Sequence, residues 1–428
     1  MNRFLAMFLV MTMLWAPPAQ AAEELPVLSL PELLRELQRS NPDLQAIKSQ
    51  VEAMQARVPA ARGLPPPKIG VKFEEIPRGT FKVNQATVIY SLLQSIPFPG
   101  KLSLRHQVAL AEAQRAGAAF KRAEWELTTQ LKSAYYDLFL IDRESEIQRE
   151  QQIWLDQTLA TARTRYGAGT SSQAELLRVQ MEAQESENQG KVLVHRRRAL
   201  EAHLNHLLNR PVDGPVGRPA EILLEPVPSD PKDLTAKALE NQPELLVFKF
   251  SAERAQADWK LSKRELLPDL ETMLELRDPA MGPIGPWDLT LALVLPFWFW
   301  TKQNYGVKVA LHDKESAEAA YQGARNEAAR RIYESWNEAQ AAYDTAKLCR
   351  DSLIPLASQA VSSALAAYQS GRGSFMELLD ALRALAERRR VYYQHLAGLE
   401  QRIVMLEQAA GVPLRSAHVE PAQGEKKK

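Results

Sequence analysis

A single cysteine, Cys349, in 428 residues leaves no pair for an internal disulfide, so the fold must be held by packing and hydrogen bonding. Past the N-terminal segment no stretch reaches eighteen consecutive apolar residues, which excludes a transmembrane helix. Neither sign of charge dominates, with 53 Lys and Arg against 52 Asp and Glu; this argues against a nucleic-acid partner. No Gly-rich phosphate loop, H-E-x-x-H or G-x-S-x-G motif is present, so neither an enzyme nor a cofactor is expected. Three of the seven histidines, His195, His203 and His206, fall on one predicted helix, the last two three apart. That spacing can ligate a metal, but Arg196 to Arg198 adjoin them and no thiol partner is near. A solvated or structural role is expected, and no metal site.

What is present begins with Arg3, an apolar run from Phe4 to Trp15, and Ala19-Gln20-Ala21. This order matches a secretory signal with a small-residue cleavage site, so residues 1–21 are set aside. No cysteine follows the site to carry a lipid anchor. An exported chain without a transmembrane helix is periplasmic, secreted, or built into a membrane as strands. Residues 415–428, which end in three lysines, have the composition of a disordered tail.

The chain also repeats itself. Asn41-Pro-Asp-Leu44 returns 201 residues later as Gln242-Pro-Glu-Leu245, and Val108-Ala-Leu110 returns, again 201 later, at Val309. The stretch from Arg165 to Leu177 returns 202 later, from Ala367 to Leu379, and Pro211 returns as Pro413. Such even spacing indicates duplication of one unit. The expected organisation is a first repeat over 22–210, a proline-rich connection over 211–232 and a second repeat over 233–414.

Each unit has the same grammar. A helix opens it (Pro31 to Arg62, Pro231 to Lys263), with Ser29 and Asp230 as caps. After prolines at 65–67 and at 268, a two-residue period predicts strands over 68–75, 84–96, 268–277 and 287–296. Ile69, Val71 and Phe73 alternate with polar residues, as do Leu289, Leu291 and Leu293 with Thr290 and Ala292. Strands of roughly nine residues suit a tilted membrane crossing, and the same alternation suits a half-buried soluble hairpin. Trp287 begins the last strand, and Phe297, Trp298, Phe299 and Trp300 follow it; aromatics at both ends of an apolar band favour bilayer interfaces. Packing where strand meets helix is the alternative for them.

A proline-free run from Lys101 to Tyr166 then carries a seam of Phe120, Leu127, Leu131, Ala134, Leu138 and Ile141, the spacing of a long coiled-coil helix. Its length reaches on the order of 100 Å. The second copy, Lys302 to Gln369, repeats the seam, with Pro355 expected to kink it. Shorter helices return over Ser172 to Asn209 and Ser374 to Ala410, so an opening and a returning helix stacked end to end can lie beside one long helix. Gly169 and Gly371 suit left-handed helix ends, and Ser172 with Glu175, and Ser374 with Glu377, form S-x-x-E capping boxes.

The fold class is therefore mainly α with a membrane β part. Four strands are too few to close a barrel, and an open edge cannot lie in lipid, so closure requires several chains and gives a hollow oligomer. A soluble periplasmic coiled-coil scaffold or adaptor is the alternative of a different class.

The duplicated helix–strand–strand–helix order, the Y-x-x-G-x-x-x-x-x-E-L-L turn in both copies and the proline–aromatic junctions resemble the TolC family of outer-membrane efflux channels over essentially the whole mature chain. The stretches "IPFPGKLSLR" and "LPFWFWTKQNYGVKVA" are most similar to the branch serving metal-cation pumps of the resistance-nodulation-division type. The resemblance implies a homotrimer with a twelve-stranded barrel in outer-membrane lipid. It also implies a helical tunnel in the periplasm, a periplasmic adaptor and an inner-membrane pump. Drug or polypeptide cargo would use the same fold. It further implies that the two turns dock the adaptor, through Gly167, Gly169, Thr170, Ser171 and Ser172 in one copy and Gly371, Gly373 and Ser374 in the other. Glu377 and Asp380 match an acidic pair that narrows the entrance as a ring; the cap role is the alternative for Glu377, and Arg178 replaces Asp380 in the first copy. Tyr368 matches a gate tyrosine. The gate arginine is displaced, since Gly373 holds its place and Arg372 lies one position earlier.

Overall fold

The computed structural model describes residues 27–76, 79, 86–277, 286–298 and 300–415. Short strand β1 (Val27–Leu28) precedes α1 (Leu30–Ser40) and α2 (Pro42–Ala60), then β2 (Lys68–Glu74), β3 (Thr87–Ile96), α3 (Lys101–Gly167) and α4 (Gln173–Leu207). Short strand β4 (Arg218–Pro219) pairs in parallel with β1 and opens the connection. The second copy follows as α5 (Pro231–Asn241), α6 (Pro243–Arg264), β5 (Asp269–Arg277), β6 (Trp287–Val294), α7 (Gln303–Leu348), a π turn (Cys349–Leu353), α8 (Ile354–Gln369) and α9 (Phe375–Ala410). The expected strands are present, shorter by one to three residues; positions 84 and 85 lie outside the described residues.

The opening helix of each repeat, expected as one piece, is two. Asn41 and Gln242 take extended backbone, and Pro42 and Pro243 occupy the first turn of the next helix, where proline's missing N–H costs nothing. The Asn41 side chain caps α2 by accepting from the N–H groups of Asp43 (3.0 Å) and Leu44 (3.2 Å). Its amide donates to the Leu207 carbonyl at the end of α4 (3.0 Å). Asn41 thus joins the returning helix to the opening helix end to end, as the lengths suggested. In the second copy α9 ends at Gly411 (φ +67°), against the Asn241–Gln242 backbone, where an added Cβ would lie 2.8 Å from three backbone atoms. Asn209, 202 residues earlier, holds the same left-handed conformation (φ +55°).

The long helices carry the core. Leu131, Ala134, Leu138 and Ile141 of α3 pack with Leu33 and Leu37 of α1 and with Leu204 and Leu207 of α4. Ile332, Ala339 and Ala342 of α7 pack with Leu234, Leu399 and Ile403. Phe139 meets Leu396 and Ala397 of α9, which fastens one copy to the other. A charged cluster closes the second copy. Buried Glu407 pairs with Lys132 and accepts from the backbone N–H of Leu414 (2.9 Å) and Arg415 (3.1 Å). Arg415 pairs with Glu400 and donates to the Glu225 carbonyl of the connection (2.9 Å).

The offset between the copies is 201 for buried pairs in the upper helix, Leu131 with Ile332 and Leu138 with Ala339. Lower down it is 202: packed Leu159 corresponds to buried Val361, and Ala162 to Ala364. A single extra residue in an α-helix rotates everything beyond it by about 100°. The π turn between the two zones, where the Ile354 N–H reaches the carbonyl of Cys349 five residues back, holds the extra residue and restores the phase. Pro355 then falls in the first turn of α8. A widened turn thus accommodates the proline that was expected simply to kink the helix.

Candidate functional site: a one-faced sheet and two helical tips

The four long strands form one antiparallel sheet in the order β2-β3-β5-β6. Register puts Ile69 opposite Leu92, Leu92 opposite Leu274 and Leu274 opposite Leu289. One row up, Val71, Tyr90, Leu276 and Trp287 are aligned in the same way. One face is thereby apolar across all four strands, and its residues are exposed, Ile69 at 81% and Leu291 at 65%. The other face carries Lys68, Lys72, Glu74, Glu271, Glu275 and Asp288. Edge strands β2 and β6 pair on one side only within the chain. No described helix is long and apolar enough to cross a membrane.

Trp287, at the start of β6, is exposed, and Phe297, Trp298 and Trp300 are exposed beyond its other end. Trp298 and Trp300 stack edge to face with ring centroids 5.9 Å apart. Phe299 lies outside the described residues.

At the opposite end the two hairpins make the tips. Both long helices finish in the same motif. The N–H of Gly169 (φ +69°) donates to Tyr166 and that of Thr170 to Arg165; the N–H of Gly371 (φ +75°) donates to Tyr368 and that of Arg372 to Ala367. Left-handed glycine here satisfies carbonyls that a helix end would otherwise strand. Gly167 is the last residue of α3. Ser172 and Ser374 cap the returning helices by accepting from the N–H of Glu175 and Glu377, each at 3.2 Å. Only the second capping box is complete, with the Glu377 carboxylate accepting from the Ser374 N–H (3.2 Å). In the first copy Glu175 is drawn elsewhere.

It is drawn to Tyr368. The Tyr368 hydroxyl donates to Glu175 (3.4 Å), the Arg165 guanidinium lies over the ring at 4.9 Å, and Phe375 meets the ring edge-on at 6.5 Å. Tyr368 is 3% exposed and belongs to a cluster with Leu155, Ala162 and Val179 of the first hairpin and Leu378, Leu379 and Leu382 of the second. Burial pushes its hydroxyl above the usual tyrosine range, against a smaller opposing effect of Arg165. The phenol therefore remains a hydrogen-bond donor at neutral pH. Tyr166, its counterpart, is 44% exposed.

The remaining candidates lie on the surface. Glu377 is exposed while engaged in its cap, and Asp380, one turn on, is exposed with no bonded partner among the described residues. Arg372 is exposed at the turn. Gly373 cannot carry an arginine without backbone movement, since a Cβ there would lie 2.9 Å from Ala367 Cβ and 3.1 Å from its carbonyl carbon. The arginine beside Tyr368 comes instead from the first copy, as Arg165, whose own repeat partner is Ala367. Sequence reasoning passed over this pairing because it joins residues about 200 apart; the signal available was that the two copies differ at 165 and 367. His195, His203 and His206 lie on α4, with all three exposed.

Comparison with known proteins follows the same geometry. The family described as outer membrane efflux protein matches residues 33–210 and 234–412. The cobalt-zinc-cadmium resistance protein CzcC of Cupriavidus metallidurans is 21% identical over 377 residues, 87% of each chain. Among solved structures, a membrane protein from Pseudomonas aeruginosa is similar with a TM-score of 0.78 at 18% identity, covering 93% of this chain and 94% of that one. The outer membrane protein VceC of Vibrio cholerae gives 0.77 at 17% identity, covering 90% and 97%. CusC, solved in a study of transmembrane channel formation, gives 0.77 at 15% identity, covering 91% and 93%.

Proposed function

The chain belongs to the outer membrane efflux protein family, an outer-membrane channel family without enzymatic chemistry, and from that premise we propose that it is the passive exit duct of a tripartite heavy-metal efflux system. The observation that carries the duct reading is the sheet: one continuous apolar face and two edge strands unpaired within the chain. An open edge in lipid leaves backbone groups without partners at several kcal/mol each. Three copies joining β6 of one to β2 of the next close a twelve-stranded barrel, with the polar face lining a water-filled lumen. The helices continue the wall into the periplasm, and the tips around Gly169 and Gly371 meet a periplasmic adaptor.

The likeness to CzcC, named for cobalt, zinc and cadmium resistance, supports metal cations as cargo. A cation duct needs no tight site. It needs an entrance that attracts positive charge, and exposed Asp380 and Glu377, repeated threefold, place six carboxylates at the tip. Among the described residues no group of three or more His, Cys, Asp or Glu is arranged to hold a metal ion. Energy comes from the inner-membrane pump.

Native mass spectrometry of the detergent-solubilised protein from outer membranes tests the architecture. The expected species is a trimer that gives discrete conductance in planar bilayers. A water-soluble monomer that needs no detergent would instead establish a periplasmic scaffold.

A further inference from the structure

We propose that a rim of unpaired cations just below the sheet is a binding surface for anionic phospholipid headgroups of the periplasmic leaflet. This rests on the reading of the chain as a membrane duct. The chain as a whole balances its charges, 53 Lys and Arg against 52 Asp and Glu, but the helical side of the strands does not. Residues 53–67, 97–111 and 295–309, which adjoin β2, β3 and β6, hold Lys or Arg and no Asp or Glu. Residues 254–268, before β5, hold Arg254, Lys260, Lys263 and Arg264 against Asp258 and Glu265. Neither α3 nor α7 has an acid in its first turn, where a carboxylate is ordinarily favoured.

The partners of these cations are not carboxylates. Arg62, Lys263, Arg264, Lys302 and Lys308 are exposed, and among the described residues none of them forms an ion pair. Lys263 Nζ lies 3.4 Å from the ring centroid of Trp259, and Lys308 Nζ 5.2 Å from that of Tyr305. Arg264 donates to the Pro99 carbonyl (3.4 Å). Lys101 is set apart, buried against Asp269 (2.7 Å), and Arg254 pairs with Glu112 (2.8 Å). Farther down the helices cations find acids, Arg330 with Glu327 and Glu334, and Arg331 with Glu244. The same end of the sheet carries exposed Trp298 and Trp300, side chains that favour the bilayer interface. Arg264 ends α6 and Lys308 lies in the second turn of α7, roughly 8 Å of helix below its start. A headgroup layer is about 5–8 Å thick, so these long side chains reach it from where they stand. A phosphate with net negative charge satisfies them. A zwitterionic headgroup carries its own ammonium and offers less.

Native mass spectrometry of the detergent-solubilised trimer, with phosphatidylglycerol or phosphatidylcholine added, tests this. The wild type should retain phosphatidylglycerol at least about tenfold more than phosphatidylcholine, and added salt should weaken that preference. Lys263→Gln, Lys302→Gln and Lys308→Gln together should abolish it and leave the trimer intact. Lys191→Gln, Lys232→Gln and Lys237→Gln, which remove exposed cations elsewhere, should keep it. If the triple rim variant fails to assemble, each single rim variant should still lower retention about twofold or more. Equal retention of the two lipids by the wild type, or a wild-type preference in the rim variants, overturns the proposal. A shifted reversal potential in the rim variant with its lipid preference unchanged places the cations in the lumen and also overturns it. A water-soluble monomer removes the duct reading and the rim with it, whereas a conducting trimer without lipid preference removes only the rim.

Discussion

The hydroxyl of Tyr368, at the foot of the second repeat, donates to the carboxylate of Glu175 in the first, 3.4 Å away. The bond ties the two hairpins of one chain together, and it is formed at the expense of Glu175's own capping box. A hydrogen bond to a charged group at this length contributes about 1 kcal/mol, the low end for its class. Tyr368→Phe keeps the ring among Phe375, Leu378 and Leu379 and removes only the donor. Opening frequency in planar bilayers should rise about fivefold, equally in Glu175→Gln, with no further rise in the double variant. Additive effects would show that the two groups act separately.

Asp380 and Glu377 differ in what else they do. Asp380 has no bonded partner among the described residues, whereas Glu377 completes a cap. Asp380→Asn should lower cation selectivity, read as a reversal-potential shift, and leave the melting temperature unchanged. Glu377→Ala should lower both, the cap contributing about 1 kcal/mol per chain. Unchanged selectivity in Asp380→Asn would remove that residue from the entrance ring.

Much of this was legible in sequence because duplication repeats each signal. The four strands, both long helices and both turns fall where periodicity, proline and glycine put them, and the landmarks shifted by 201 and 202 already contained the extra residue. What it means needed coordinates, because an insertion shows in sequence only as a change of offset, and whether it rotates the helix or is absorbed depends on the packing of Val361 and Ala364. The break at Asn41 and Gln242 was hidden for a different reason: a helix pattern continues through it, and Asn-Pro served as a landmark before its role as a cap was visible. Arg165 and Glu175 were hidden because their partner, Tyr368, lies in the other copy.

Gly411 and Asn209 are repeat partners in the same left-handed conformation, and at Gly411 an added Cβ would meet the Asn241–Gln242 backbone. Gly411→Ala combines an unfavourable φ with contacts at 2.8 Å to Asn241 and Gln242 and should cost about 2 kcal/mol or more. Asn209→Gly should change stability by less than about 0.5 kcal/mol. Thermal melts of the trimer compare them; equal loss in both would contradict the close approach.

Lys132 and Glu407 form a pair whose side chains are 12% and 2% exposed. Glu407→Leu leaves the ammonium without its partner and should cost about 3 kcal/mol. Adding Lys132→Met should recover part of that loss, because the stranded charge is gone while the N–H groups of Leu414 and Arg415 stay unpaired. A double variant less stable than the single would show that the packing, not the pairing, is what Lys132 supplies.

The most direct test of the central claim is growth of a strain lacking this gene on zinc, cobalt, cadmium, nickel, copper, silver and a panel of common drugs. A passive duct for metal cations predicts sensitivity confined to some of the metals, restored by the wild-type gene. Sensitivity to drugs alone, with all metals tolerated as in the parent, would contradict the assignment of cargo.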